Sequence, residues 1–398
     1  MTDKTMPALR FRGFYDAWEQ RKSKDLFIPK IKKGKTELPV LSVTQTSGVV
    51  YRDEVGIDIK YDRNTLSNYK VIEPNDFVIR LRSFQGGFEL SNKLGIASPA
   101  YTVFTPKDID EHANLFWKYK FKTFSFIQSL KTVTFGIRDG KSISFSEFGD
   151  LKIRFPKNIR EQEKIGLFFK QLDSLITQNG RKIDLLKQLK QAYLQKIFSQ
   201  KLRFDGFHGT WEERDLSAIS DKVTEKNKEN QFSETFTNSA EYGIINQRDF
   251  FDKDISNEKN LSGYYIVHEN DFVYNPRISN YAPVGPIKRN KLGRTGVMSP
   301  LYYVFRSRGV DKKYLEYYFD TTAWHIFLKM NGDSGARSDR FAIKDSVFNQ
   351  MPIPYPTIGE QEQIGSFFEK LDKTIALRQQ KLNLLKKQKH AYLQKMFI

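Results

Sequence analysis

Apolar residues recur at a fixed interval near the middle of the chain and again near its end. Ile165, Leu172, Leu186 and Tyr193 fall on one seven-residue ladder, and Phe169, Ile176, Ile183 and Ile197 lie four residues after positions of that ladder. About 200 residues later Ile364, Leu371, Leu385 and Tyr392 repeat the first ladder, and Phe368, Ile375, Leu382 and Met396 the second. An apolar seam kept for about four heptads predicts two long helices that meet along it as a coiled coil. Polar residues interrupt the seam at matching places: Asn179 answers Arg378, and Lys190 answers Lys389. Such interruptions cost stability but can fix register or orientation. A helix packing only on its own domain would show a similar stripe. However, about 38 residues at 1.5 Å each span about 57 Å, longer than a small domain is wide. The two helices are therefore expected to pair. If they run antiparallel, two globular regions lie at opposite ends of a spacer, related by a pseudo-twofold axis.

What precedes each helix also repeats. Leu9-Arg10-Phe11, Gly13-Phe14 and Trp18-Glu19 return as Leu202-Arg203-Phe204, Gly206-Phe207 and Trp211-Glu212. Asn75-Asp76-Phe77-Val78 returns from Asn270, GIASPAYTVF as GVMSPLYYVF, and IRFP as IPYP. Phe77-Val78-Ile79 and Tyr101 to Phe104 read as strands. Leu115 to Leu130 and Tyr314 to Met330 read as helices with an apolar face, and a proline-marked break precedes each long helix. The expected class is mixed α/β (α+β), with globular regions at 1–157 and 200–356 and repeated helices at 158–199 and 357–398. The order and spacing hold while the filling changes.

Composition narrows the partners. The 398 residues are 39% hydrophobic and 14% aromatic, enough for real cores. A formal charge of +18 favours a polyanion, nucleic acid ahead of membrane. No apolar run is long enough to span a bilayer, and MTDKTMPALRFRGF lacks an apolar signal core, so a cytoplasmic location and no membrane partner are expected. With no cysteine, disulfides and thiolate metal sites are excluded.

Catalytic constellations are not found. The five histidines, His112, His208, His268, His325 and His390, are scattered without ligand spacing. Gly136 to Ser142 falls one residue short of a phosphate loop. Asn275-Pro276-Arg277 resembles the Asn-Pro-Pro-aromatic motif of amino-methyltransferases but lacks its second proline and its aromatic. Glu161 with Glu163, and Glu360 with Glu362, sit in a helix's first turn, where carboxylates suit the positive dipole end. What remains suits DNA. Basic loops with small polar and aromatic residues recur in both halves: Arg80, Arg82, Ser83 and Gln85; Asn275, Arg277, Ser279, Asn280 and Tyr281; then Arg138, Lys141 and Ser142, answered by Arg337, Ser338 and Arg340. Arg and Asn or Gln pair with base edges, while Lys, Ser and backbone amides serve phosphates. KIKKGK, from Lys30, reads as a solvated or phosphate-touching loop.

Two variable regions, each followed by a helix carrying EQxxIxxFFxxLD and ending in LLKxxKxAYLQKxF, resemble the specificity (S) subunit of type I restriction–modification enzymes. The LRFxGF…W lead, the NDFV run and the GxxSPxYxVF run fit as well, so the resemblance covers nearly the whole chain. It implies two target recognition domains reading a bipartite sequence in double-stranded DNA. The helices would act as a ruler for the gap and dock two methyltransferase (M) subunits, with restriction (R) subunits completing the complex. It also implies a non-catalytic chain with no cofactor of its own; S-adenosylmethionine, ATP and Mg2+ would belong to the partners. A spacer of about 57 Å corresponds to about 17 base pairs, placing the half-sites within about one to two turns. The competing expectation is a basic coiled-coil scaffold with incidental DNA affinity. A stand-alone nuclease or methyltransferase would need a constellation the sequence lacks.

Overall fold

The computed structural model describes residues 5–44, 47–55, 63–80, 87–132, 143–250, 261–333 and 339–398. The chain divides into two compact units, Met1–Arg181 with Gln380–Ile398, and Lys182–Gln379. Each is built around the same four-stranded antiparallel sheet. In the first unit the strands lie in the order Phe27–Pro29, Thr102–Pro106, Phe77–Ile79, Phe88–Leu90. In the second the order is Ser220–Lys222, Tyr303–Ser307, Phe272–Tyr274, Ile287–Arg289.

The repeated Asn-Asp-Phe-Val run sets how the sheet begins. Asn75 and Asn270 take φ of 74° and 72°, the left-handed region that Asn tolerates. The next residue is a buried Asp whose carboxylate accepts the backbone N–H of Glu73 or His268, closing the turn. Lys30 pairs with Asp76 at 2.9 Å and Arg306 with Asp271 at 2.7 Å, so neither carboxylate is buried without a cation. Beyond the turn, Phe77 stacks on Phe104 and Phe272 on Phe305, with ring centroids 5.4 Å apart in both pairs. These rings anchor two aromatic-rich cores.

The helices expected over Leu115–Leu130 and Tyr314–Met330 are each split in two: Asn114–Lys120 and Phe124–Leu130, then Lys312–Phe319 and Ala323–Asn331. Thr123 has extended backbone and its hydroxyl accepts from the Phe126 N–H, so it caps a new helix instead of continuing the old one. In the second unit the Thr321 hydroxyl donates to the Tyr318 carbonyl and accepts from the Ala323 N–H. Apolar periodicity runs across both breaks, because both pieces face one core.

The two long helices are Ile159–Phe198 and Ile358–Lys395. Within the first unit, the opening part of one pairs antiparallel with the closing part of the other. Phe168 meets Tyr392 at 5.1 Å between centroids, and Asp173 pairs with Lys389 at 2.5 Å. Within the second unit, Tyr193 meets Phe367 at 5.3 Å and Lys190 pairs with Asp372 at 2.7 Å. Ile165, Phe169, Leu172, Ile183, Ile364, Phe368 and Leu382 are buried; Ile176, Leu186, Tyr193, Leu371, Ile375, Leu385 and Tyr392 are half-buried. The seam has a second use. Ile165, Phe169 and Leu172 belong to the core of the first unit, and Ile364 and Phe368 to that of the second. The seam lysines have partners on the opposite helix, whereas Asn179 turns its amide onto the Leu175 carbonyl of its own helix at 2.7 Å.

The motif at the head of each long helix is a docking device. Glu161 and Glu360 lie in the first turn, but they do more than meet the dipole, since both are buried. Arg10 grips Glu161 with two hydrogen bonds of 2.6 and 2.7 Å, and Arg203 grips Glu360 at 2.9 and 2.6 Å. The exposed acids of the turn are Glu163 and Glu362. Gln162 donates to the Pro156 and Glu111 carbonyls and accepts from the Ala113 N–H. Gln361 donates to the Pro356 carbonyl and accepts from the Asp311 N–H. A Cβ at Gly166 would stand 2.6 Å from the Leu115 Cβ, and one at Gly365 2.8 Å from the Lys313 Cβ. Finally Asp173 accepts the Tyr119 hydroxyl at 2.8 Å and Asp372 that of Tyr317 at 2.9 Å. Burial first, then these carboxylates, raises both phenol pKa values above the ordinary tyrosine range and keeps the protons in place.

Gly166→Ala and Gly365→Ala should each lower unfolding stability by about 1–3 kcal/mol, because the added methyl forces two helices apart. Gly180→Ala, also inside a long helix but with open space at its Cβ, should raise it by about 0.5–1 kcal/mol. Urea unfolding midpoints of the three variants check the opposed signs.

Candidate nucleic-acid interface

In the second unit the loop after strand Phe272–Tyr274 is held from both sides. Asn275 donates its amide to the Asn238 carbonyl at 2.8 Å and accepts the Arg277 N–H at 3.0 Å, a local turn fixed by one side chain. Ile278 N–H donates to Asp339 O and Phe341 N–H to Pro276 O, which lays this loop antiparallel beside Arg340. Ser279 and Ala282 exchange backbone hydrogen bonds, so Tyr281 stands at a turn tip, 80% exposed. The hairpin of Phe236–Ser239 and Gly243–Asn246 carries Tyr242 at its own tip, 62% exposed.

Together these loops border an open groove of about 700 Å³. Asn275, Arg277, Ser279, Tyr281 and Arg340 line it; of the residues predicted in this half, Asn280 is exposed but does not. The lining also includes Tyr242 and Gln247, from a hairpin segment in which the sequence marks no site, and Tyr302, from the GVMSPLYYVF run identified only as a repeat. The signal that could have found the hairpin is Tyr242-Gly243 between two β-rich runs, with Gly243 at φ 73°.

Charge in this unit is of two kinds. Arg289 is committed to Glu316, Arg294 to Glu234 and Arg306 to Asp271, all within 2.7 Å. Arg277 and Arg340 are exposed at the groove, and among the described residues neither has an acidic partner. A groove offering two guanidiniums without ion-pair partners against the single carboxylate of Glu241, two exposed aromatic rings, and hydroxyl and amide groups suits a phosphate backbone with base edges.

In the first unit, Arg80 occupies the place of Asn275: its N–H donates to Gly87 O at 2.9 Å, as the Asn275 N–H does to Pro286 O. Its Nε and one terminal nitrogen are shielded from solvent and, among the described residues, have no partner. In KIKKGK, Lys30 and Lys32 turn onto Glu73. Arg82, Ser83, Gln85, Arg138, Lys141, Ser142, Arg337 and Ser338 lie outside the described residues. Among the described residues no cluster of three or more His, Asp or Glu is placed to hold a metal ion, and no helix is long and apolar enough to cross a membrane.

Replacing Arg277 and Arg340 together by Ala should weaken DNA binding to all sequences alike and reduce the slope of log K against log salt by about 2, one unit per lost phosphate contact. Titrations at several salt concentrations measure both.

Comparison with known proteins agrees with the fold. The family model described as the type I restriction modification DNA specificity domain matches twice, over residues 15–188 and 208–387. The type I restriction enzyme MjaVIII specificity subunit of Methanocaldococcus jannaschii is 22% identical over 345 residues, covering 80% of this chain and 77% of its own. The crystal structure of a type I restriction–modification S subunit from M. genitalium superposes with a TM-score of 0.58 at 16% identity, covering 99% of both chains. The HsdS subunit from Thermoanaerobacter tengcongensis gives 0.51 at 13% identity over 96% of both. With two family domains spanning most of its length, the chain belongs to the type I restriction–modification DNA specificity family.

Proposed function

We propose that this chain supplies the DNA sequence specificity of a type I restriction–modification complex. Each unit reads one half of a bipartite duplex target. The paired long helices set the gap between the halves and dock two methyltransferase subunits, and restriction subunits join the full complex. The chain itself is non-catalytic and cytoplasmic; S-adenosylmethionine, ATP and Mg2+ serve the partner subunits. The family match over both halves carries this reading. The groove of the second unit supports it: among the described residues Arg277 and Arg340 have no acidic partner there, whereas Arg289, Arg294 and Arg306 are neutralised. A scaffold with incidental DNA affinity would leave that groove without a role.

A genome-wide map of methylated bases in the source cell, with the gene present and deleted, tests the reading. Loss of methylation at one two-part motif is expected; an unchanged map in a cell with an active methyltransferase partner would refute it. Removing one matched heptad from both helices, near Asn179 and Arg378, shortens the spacer by about 10 Å. The gap should contract by about 3 base pairs while both half-sites stay as they are. Altered half-sites would count against the ruler.

A further inference from the structure

We propose that Gln247 reads an adenine, by its major-groove edge, in the half-site taken by the second unit. The inference rests on the DNA-reading role proposed above and proceeds by elimination. Three side-chain amides line the groove: Asn238, Asn275 and Gln247. Asn238 is buried; its Oδ1 also lacks a partner, but both its amide hydrogens go to the Val273 and Pro286 carbonyls at 2.7 and 3.2 Å, so it has no donor left to offer. The Asn275 amide is engaged at both ends, to Asn238 O and from the Arg277 N–H. The Gln247 amide is uncommitted. Its Oε1 is shielded from water and has no hydrogen-bond partner, and among the described residues none bonds its nitrogen.

The backbone at this point is nonetheless fixed. The Gln247 N–H donates to Thr235 O at 2.8 Å, directly after strand Gly243–Asn246. A held amide with an unmet acceptor is a cost the free chain carries, and a ligand presenting a donor beside an acceptor removes it. The adenine edge offers N6–H₂ next to N7, the pattern a Gln side chain meets with two hydrogen bonds. Guanine presents two acceptors there and leaves the Gln oxygen unmet.

The first unit supplies an independent observation. Its equivalent residue is Arg52, which follows strand Gly48–Tyr51 and whose N–H donates to Val40 O at 2.9 Å, the same backbone bond. Gln and Arg are the side chains that pair bidentately with adenine and with guanine. The hairpin is thus common to both units while the side chain it holds at this position differs; in the first unit Arg52 donates its Nε to the Ser42 hydroxyl at 3.2 Å.

The test uses the full chain with its methyltransferase partner, read as the map of methylated motifs. Gln247→Leu should lower discrimination at one position of one half-site by about 10–100-fold, leaving the other half-site and the gap intact. Gln247→Arg should move the preference at that position from adenine to guanine. The Arg variant keeps the inference testable if the Leu variant folds poorly, since the matching hairpin already carries Arg52. An unchanged motif in both variants, or a motif altered in both halves, overturns the assignment. Failure of the DNA-reading role itself would appear separately, as an unchanged map on deleting the gene.

Discussion

Everything else in each unit depends on how the long helix begins. A carboxylate buried in its first turn is tolerable only with a cation beside it, and the arginine of the Leu-Arg-Phe lead supplies two hydrogen bonds to it. That pair joins the segment leading into a globular region to the helix leaving it. The adjacent strands do the same: Glu19–Lys22 pairs with Lys152–Phe155, and Glu212–Asp215 with Pro352–Tyr355. The following glutamine and glycine then press the helix against the short helix of the globular part, closely enough that a single methyl does not fit. Two turns further, the Asp takes a tyrosine from that short helix and a lysine from the other long helix. Three elements therefore meet at one carboxylate in each unit. Losing the lysine would leave that carboxylate short of a counter-charge; losing the carboxylate would strand Lys389 in the first unit, whereas Lys190 in the second would keep Asp320 at 3.8 Å.

This frame explains why a motif can be kept while the residues between its copies differ. The constraints that hold a unit together sit in the strand pairs, the aromatic stacks and the head of the helix. The groove lies beyond them, on loops braced by backbone hydrogen bonds. Side chains at equivalent backbone positions differ between the units, as with Arg80 and Asn275, or Arg52 and Gln247. A scaffold of this kind fixes where a loop residue stands and leaves its chemistry open.

The net charge of +18 divides in the same way. Much of the basic surplus in the second unit's sheet is tied down in ion pairs, where it serves the fold. Arg277 and Arg340, at the groove, have no ion-pair partner among the described residues, and so they can act on a polyanion. Composition alone gives the sign of the partner's charge; only pairing says which cations meet it.

The sequence by itself determined the duplicated plan, the two long helices, the seam and the family, because these rest on local periodicity and on motifs that recur at constant spacing. It also named Asn275, Arg277, Ser279, Tyr281 and Arg340, since Gly, Asn and Pro mark loops wherever they lie. It could not tell that Arg10 and Glu161 are partners, because the pair spans the whole first globular region and no local signal relates its members. Nor could it separate the short helices around Thr123, where apolar spacing is continuous and one hydroxyl decides the break. Gln247 was invisible for the same reason: nothing distinguishes a free amide from a bonded one until the neighbours that would bond it are in place. Tertiary structure decided which polar groups are satisfied, and at the groove the groups left over are the ones a partner can meet.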